Sequence, residues 1–347
     1  MRESLRTFPF LGVTMKILKP DYYDRFRCIA SACPDSCCKE WEVDIDADAA
    51  AFYRGLPGDL GNRLRAVIRN TEDGACMTIT DGRCPMWRQD GLCRIQAQLG
   101  HDALCQTCRD FPRLRHDYGD FVELGLELSC PEAARLIFAS PAPTFTETNT
   151  PGGDEPDYDP QDMAILMRTR QAFLDYLHST AHTPAQVLAV LLLYGCEVQN
   201  ELDGGETADL DPDACLAAAE KFAEGGSITE IFDFFKNLEI LSPAWAERLE
   251  QGAVSKVWDP RIAAFIDYAA RRYWLQAVSD LDLVCRLKFI IIASLLIAAM
   301  GGDLVQTAQR FSKEIENDPD NVEAILDGAY TCPAFTDRKL LDLLINP

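Results

Sequence analysis

The stretch that decides the reading is RFRCIASACPDSCC, residues 25–38, which sets Cys28, Cys33, Cys37 and Cys38 within eleven positions. The last two are adjacent. A disulfide between neighbours needs a strained ring, because bridge geometry separates the two Cα atoms by about 5.5 Å. The pair therefore points away from a structural bridge and toward free thiols or thiolate ligands.

Six more cysteines follow before residue 131, as Cys76, Cys84, Cys93, Cys105, Cys108 and Cys130. The other four of the fourteen, Cys196, Cys215, Cys285 and Cys332, are scattered singly and read as small buried residues. CPDSC and CQTC have spacings that turn two side chains toward one ion. Pro and Gly turns flank others, as in GRCPMW and DGLCRI. Thiolates are soft ligands that suit iron-sulfur clusters and zinc. Zinc sites mostly show tidy CxxC pairs with a long gap, which this irregular set matches poorly. So many cysteines with so little periodicity call for something besides apolar burial to hold the segment, and a metal centre does that.

Around this segment, 347 residues suggest two domains, with enough apolar sequence (48%) for a sizeable core. The net charge of -22 is lopsided. Residues 1–130 carry 17 basic and 20 acidic side chains, and the remainder 16 and 35. An acidic half repels phosphates, which argues against nucleic acid, and tolerates a basic, lysine-bearing partner. No targeting segment stands out. Met15 is a plausible alternative start, making residues 1–14 a start-site extension. The most apolar run, FIIIASLLIAAMGG (289–302), is short of the roughly 20 residues that span a bilayer and reads as a buried helix rather than a membrane insertion. A cytoplasmic, reducing location follows as the expectation, and there clustered cysteines favour metal or redox chemistry.

The fold class expected is mainly α: an irregular cysteine-rich metal-binding N-terminal domain (15–139), a linker (140–162) and an acidic α-helical bundle (163–347). The linker SPAPTFTETNTPGGDEPDYDPQD shows neither helical nor strand period. Beyond it the apolar positions recur helically, as with Ile165, Leu166, Phe173, Leu174 and Leu177. Thr183-Pro184 reads as an N-cap followed by Pro at the first helical position, and Ser227-x-x-Glu230 as a capping box. No repeat of 30 to 45 residues appears, which argues against a solenoid. In the N-terminal half, EWEVDID suggests a short strand, Trp41 to Ile45, running into a helix capped by Asp46, and residues 91–113 suggest short helices joined by turns.

Several motifs in order now carry a resemblance: CxxxCC (33–38), WxVxID (41–46), CP (84–85), GLCRIQ (91–96), CRDFPR (108–113) and SCPEAAR (129–135). Together they resemble the flagellin lysine-N-methylase (FliB) family and a related cysteine-cluster signature of zinc- or iron-chelating proteins. The resemblance covers about residues 16–138; QRFSKEIENDPDNVEAIL (309–326) matches more weakly. It implies a methyltransferase acting on flagellin lysines, with S-adenosylmethionine as donor and a cysteine-bound [4Fe-4S] centre. Its motif cysteines fall on Cys28, Cys33, Cys37, Cys38, Cys84, Cys93, Cys108 and Cys130, leaving Cys76 and Cys105 outside. A [4Fe-4S] cluster takes four. The first choices are Cys33, Cys38, Cys84, Cys93 and Cys108, with Cys28, Cys37 and Cys130 secondary and zinc the alternative metal.

The donor site is not visible in the sequence. No G-x-G-x-x-G follows a strand, and the Gly204-Gly205 and Gly225-Gly226 pairs read as turns. The compact CxxxCxxC of radical enzymes is also missing. Candidate acid-base residues are Glu42, Asp44, Asp46, Glu123 and Glu127, which equally suit a solvated strand face or a helix cap. Arg109 and Arg113 suit a donor carboxylate or an anionic cluster. Trp41 and Trp87 read as packing around the centre. His101 and His116 are either extra ligands or ordinary surface residues. The alternative function is a non-enzymatic metal-binding adaptor whose acidic helical domain binds a partner.

Overall fold

The computed structural model describes residues 14–71, 74–254 and 258–346. Most of the expected start-site extension (1–13) lies outside the described residues, whereas Thr14 and Met15 already belong to the first strand.

The chain is mainly α, as expected, with two sheets among the described residues of its N-terminal half. Strand β1 (Thr14–Pro20) forms the middle of the first sheet. It runs parallel to β6 (Phe121–Leu126) and antiparallel to β7 (Phe145–Pro151). Strand β5 (Arg113–Asp117) completes this sheet as a hairpin with β6, giving the order β5-β6-β1-β7. The second sheet is a small antiparallel one, β2 (Val43–Ile45), β4 (Gly74–Met77) and β3 (Ile68–Thr71), in the order β2-β4-β3. The expected strand-to-helix passage is present: Val43 and Ile45 are buried, Asp44 is exposed, and Asp46 caps α1 (Ala47–Gly55). Helix α2 (Gly58–Val67) and the short α3 (Arg94–Leu99) and α4 (Gln106–Asp110) follow, joined by turns.

The stretch 140–162 is not the loop expected of it. Residues 145–151, FTETNTP, pair with all seven residues of β1, from Thr14 opposite Pro151 to Pro20 opposite Phe145. Three threonines give this edge strand its β preference without the apolar alternation that signals a half-buried strand. The apolar core does not break here either. Phe121, Leu126 and Leu128, with α5 (Pro131–Phe138), share one cluster with the helices that follow. A second, smaller cluster lies among the β2-β4-β3 sheet, Tyr53, Leu64, Met86 and Ile95.

The C-terminal half contains α6 (Pro160–Ser179), α7 (Pro184–Leu202), α8 (Pro212–Phe222), α9 (Ile228–Phe235) and α10 (Pro243–Gln251). After them come α11 (Ile262–Tyr273), α12 (Leu283–Met300), α13 (Leu304–Phe311), α14 (Pro319–Thr331) and α15 (Asp337–Ile345). Capping explains several starts. Thr183 and Gln186 close a reciprocal box at α7, with Pro184 at the first position. The box expected at Ser227 does not form: no side chain of Ser227 caps α9, whose start rests on burial of Ile231, Phe232 and Phe235. Helix α12 holds the apolar run and meets the length and hydropathy of a membrane span, but it is the central bundle helix and is buried along nearly its whole length.

Between α13 and α14 the chain makes a π-turn, Ser312–Glu316, all five residues of which are buried. Wide turns of this kind are rare and concentrate at functional sites. This one turns Lys313, Glu314 and Glu316 into the protein.

Candidate metal centre

The cysteine segment has little regular structure of its own. Between β1 and β2 it holds two single 3₁₀ turns, Tyr23–Arg25 and Ala30–Ala32, and two non-glycine residues at positive φ, Ala30 (+51°) and Glu40 (+76°). Bonds from elsewhere fix its path. The Glu40 amide donates to the Gly82 carbonyl at 3.0 Å, and the Cys84 amide donates to the Cys38 carbonyl at 2.8 Å. The CC pair is thereby laid beside Cys84, 46 positions on. The Trp41 indole N–H donates to the Cys37 carbonyl at 3.0 Å.

The second cysteine group is placed by α4 and by Asp46. Cys105 is the N-cap of α4, and Cys108 lies one turn on. One carboxylate oxygen of Asp46 accepts the Ala49 amide at 2.9 Å, and the other accepts the Gln106 amide at 2.7 Å. A single side chain thus caps α1 and holds the start of the CxxC helix. Cys130 begins α5 in the same way.

These elements enclose a cavity of about 710 Å³, lined by Cys28, Cys33, Cys37, Cys38, Cys93, Cys108 and Cys130. Seven of the eight motif cysteines thus line one space, and the eighth, Cys84, is tied behind it, its amide donating to the Cys38 carbonyl and its thiol to the Met77 sulfur at 3.2 Å. None of the fourteen cysteines is in a disulfide. Cys76 is elsewhere, buried on β4 beside Glu42. Cys105, outside the motif, adjoins Cys108.

The thiols polarise one another. Cys38 is packed against Cys37 and Cys84 and is pushed strongly toward keeping its proton. The neighbouring Cys38 thiol lowers Cys37 to about 7 and also lowers Cys84. Cys108 stands in the same relation to Cys105, which its hydrogen bond lowers to about 7. Burial raises Cys33, Cys93 and Cys130, the last to about 12. Thiolate, not thiol, is the metal-binding form.

Among the described residues, no three His, Cys, Asp or Glu side chains stand together as a set ready to hold an ion. The expected cysteine-rich metal-binding domain is therefore not confirmed: thiols line one cavity, but among the described residues they form no coordination shell. The donor chemistry fits a thiophilic centre: soft sulfur ligands converge on one cavity, and two of the motif cysteines, Cys37 and Cys84, are shifted toward the anion.

The other candidates divide sharply. Arg109 and Arg113 line the cavity, with Arg27, Arg83 and His101. Trp87 is also on its wall, with the Arg83 guanidinium 3.9 Å from its ring centre. The candidate carboxylates do not reach it. Glu42 pairs with Arg69 on the exposed side of the small sheet, and Asp44 faces solvent beside it. Asp46 is committed to its two amides. Glu123 is buried on β6 in a two-bond pair with Arg170 of α6. Glu127 accepts from Ser129 Oγ at 2.8 Å, and burial raises its carboxyl. His116, opposite Glu123 in the sheet, is likewise remote from the thiols.

The structure adds residues that the sequence reading did not single out. Lys313 Nζ lies 3.0 Å from both Asp35 and Glu40, and Arg310 pairs with Glu40 at 3.2 Å. Gln309 donates to the Ser129 carbonyl at 2.6 Å and to Asp35 at 3.3 Å. The one signal available was the weaker match over 309–326, which begins on these residues.

No family model and no solved structure matches the chain. It is 34% identical to the flagellar biosynthetic protein FliU of Salmonella muenchen over 134 residues, 36% of this chain and 78% of that protein. It is 33% identical to the lysine-N-methylase of Salmonella typhimurium strain LT2 over 135 residues. A lysine-N-methylase of Salmonella choleraesuis strain SC-B67 is 31% identical over 138 residues. Each of these two matches covers 36% of this chain and 33%, about a third, of the enzyme. With a third of the positions identical across more than three quarters of FliU, the chain belongs to the FliB/FliU family.

Proposed function

We propose that the protein is a protein-lysine N-methyltransferase acting on flagellin in the cytoplasm, with S-adenosylmethionine as methyl donor and a [4Fe-4S] centre held by its cysteines. The observation that carries this reading is the convergence of the motif cysteines, Arg109 and Arg113 on one cavity. Cys33, Cys38, Cys93 and Cys108 on the wall, with Cys84 behind Cys38, are the residues that would hold the centre. When bound, an iron-sulfur centre supplies one-electron chemistry and Lewis acidity. About 710 Å³ falls within the range of small-molecule sites. The guanidiniums of Arg109 and Arg113 give the donor's carboxylate a two-pronged partner. In the transfer, the uncharged lysine amine forms a bond to the methyl carbon as the carbon–sulfur bond breaks. The sulfur keeps the bonding pair as S-adenosylhomocysteine, and the new ammonium carries the surplus proton to solvent.

A second reading, a non-enzymatic zinc or iron-sulfur adaptor whose acidic helical domain binds a partner, draws on one specific observation. None of the candidate carboxylates reaches the cavity, so no acid-base residue among them stands beside the thiols. The experiment that separates the two is anaerobic purification, analysis of iron, zinc and acid-labile sulfide, and incubation of the same sample with labelled S-adenosylmethionine and recombinant flagellin. Iron and sulfide in equal amounts with label on flagellin supports the enzyme. Zinc without sulfide, and no label, supports the adaptor.

A further inference from the structure

We propose that Lys313 is a positioning residue for the thiolate centre: from the bundle it pins the loop Asp35–Glu40, which carries Cys37 and Cys38. The inference rests on the reading of the cavity as a metal centre and extends it to a residue more than 270 positions from the loop.

The lysine is fully buried. A buried ammonium persists only with close partners, and all of its partners belong to the cysteine loop. Its Nζ contacts both Asp35 oxygens, at 3.0 and 3.2 Å, Glu40 at 3.0 Å and the Ser36 carbonyl at 3.4 Å. It also lies 4.9 Å from the centre of the Trp41 ring, and Trp41 in turn holds the Cys37 carbonyl. One cation therefore grips the loop on both sides of the CC pair.

The grip answers two local needs. Glu40 is a non-glycine residue at φ +76°, a conformation that persists only where surroundings enforce it. Lys313 and Arg310 both hold its carboxylate. The loop also brings Asp35 and Glu40 next to thiols that must become anions to bind metal. A cation at this place keeps that accumulation of negative charge from forcing the loop open. The anchoring end is rigid, because the same π-turn is fixed elsewhere. Glu314 accepts from the Leu241 amide and from Ser242 Oγ, and Glu316 accepts from Tyr268 at 3.0 Å and Tyr273 at 2.7 Å. Gln309, one turn earlier, ties the Asp35 loop to Ser129 beside Cys130.

The test uses the full chain with Lys313→Met, Lys313→Arg and Arg310→Met. In anaerobically purified protein, the rate at which excess chelator strips the metal is measured. Partners that support metal ligands are worth about 10–100-fold in metal affinity, so K313M is expected to release metal about 10–100-fold faster. K313R, which keeps the charge, should recover most of the loss. R310M, which removes a cation from the loop's rim, should change it less than K313M. In metal-free protein, hydrogen–deuterium exchange of the peptide covering 35–40 should speed up in K313M while the α12 peptide keeps its protection. That arm stands even if the wild type carries no metal, the outcome that would defeat the metal-centre reading itself. If K313M does not fold, Glu40→Gln, which removes one partner at the partly exposed edge, should show the same local loss of protection. Unchanged exchange over 35–40 in the folded variant, or K313M releasing metal at the wild-type rate, overturns the proposal.

Discussion

Arg170→Met should destabilise the protein by about 3–5 kcal/mol, the cost of leaving one member of a buried ion pair without its partner. Arg170 reaches from α6 to Glu123 on β6 with two parallel bonds, 2.8 and 2.5 Å, and both side chains are about 10% exposed. At an effective dielectric of about 20, opposite charges about 4 Å apart attract by about 4 kcal/mol, the same scale. Methionine fills much of the arginine's volume but leaves the Glu123 carboxylate buried without a donor. At about 2.1 cal/mol/K per residue, cooperative unfolding of this chain has an entropy near 0.7 kcal/mol/K, so the midpoint should fall by about 4–7 °C. Calorimetry and urea titration of R170M, Glu123→Gln and the double variant form a cycle. Removing both charges should recover at least about 2 kcal/mol relative to the sum of the singles. A drop of less than 1 °C in R170M would refute the pair as the joint between sheet and bundle. A Glu123→Gln protein of full stability that no longer transfers methyl groups would return that carboxylate to the chemistry.

Three further outcomes follow from the same geometry. Asp46→Ala removes the cap of α1 and the acceptor for Gln106, and should cost about 1–3 kcal/mol in urea unfolding, with faster amide exchange at Gln106; protection unchanged there would break the link between Asp46 and the CxxC helix. Cys76→Ser should leave metal content at the wild-type level, because Cys76 lies on β4 away from the cavity, whereas Cys93→Ser and Cys108→Ser should lower it; metal analysis finding all three equal would contradict the assignment. His116 is lowered to about 4, first by burial and then by the Arg272 guanidinium, with Glu123 opposing and Arg170 adding to the effect. The unfolded chain then binds a proton near pH 6.5 that the folded chain refuses, so stability is complete above pH 6.5 and falls as pH drops toward 4. His116→Gln should escape up to about 3 kcal/mol of that loss at 1.36 kcal/mol per pH step, and parallel stability curves for the two proteins over that range would rule the effect out.

The helices were legible because their signals are local. Thr183, Pro184 and Gln186 announce α7 within four residues, and the buried Leu166, Phe173, Leu174 and Leu177 of α6 follow the period of one face. The first sheet was not legible for the opposite reason. Its middle strand pairs with partners more than 100 and more than 120 residues away, and its edge strand FTETNTP carries neither apolar alternation nor a turn of its own. Ser227-x-x-Glu230 shows the limit of a local rule: the pattern is present, but the Ser227 side chain makes no cap.

The cysteines sit between these cases. Their identity is local and their meeting is not. Spacing alone gathers Cys33, Cys37 and Cys38, and separately Cys105 and Cys108, but the two groups meet because Asp46 ties the start of α4 to the small sheet and Cys84 hydrogen-bonds back to Cys38. The bundle then closes the loop from outside through Gln309, Arg310 and Lys313. This division explains why the carboxylates that alternate in the sequence proved to be structural. Glu123 and Glu127 lie where the first sheet meets the helices, and charge placed at such a joint is consumed by Arg170 and by the Arg272–Glu316 cluster. Among the residues lining the cavity, the thiols and the arginines Arg109 and Arg113 are suited to soft metal and anionic ligand. Arg109 and Arg113 on that wall suit a donor carboxylate, and equally the negative charge of a thiolate cage. Replacing each arginine by methionine and measuring S-adenosylmethionine binding by calorimetry decides the matter: loss of binding with metal retained makes the wall a donor site, and loss of metal with it makes the arginines part of the cage.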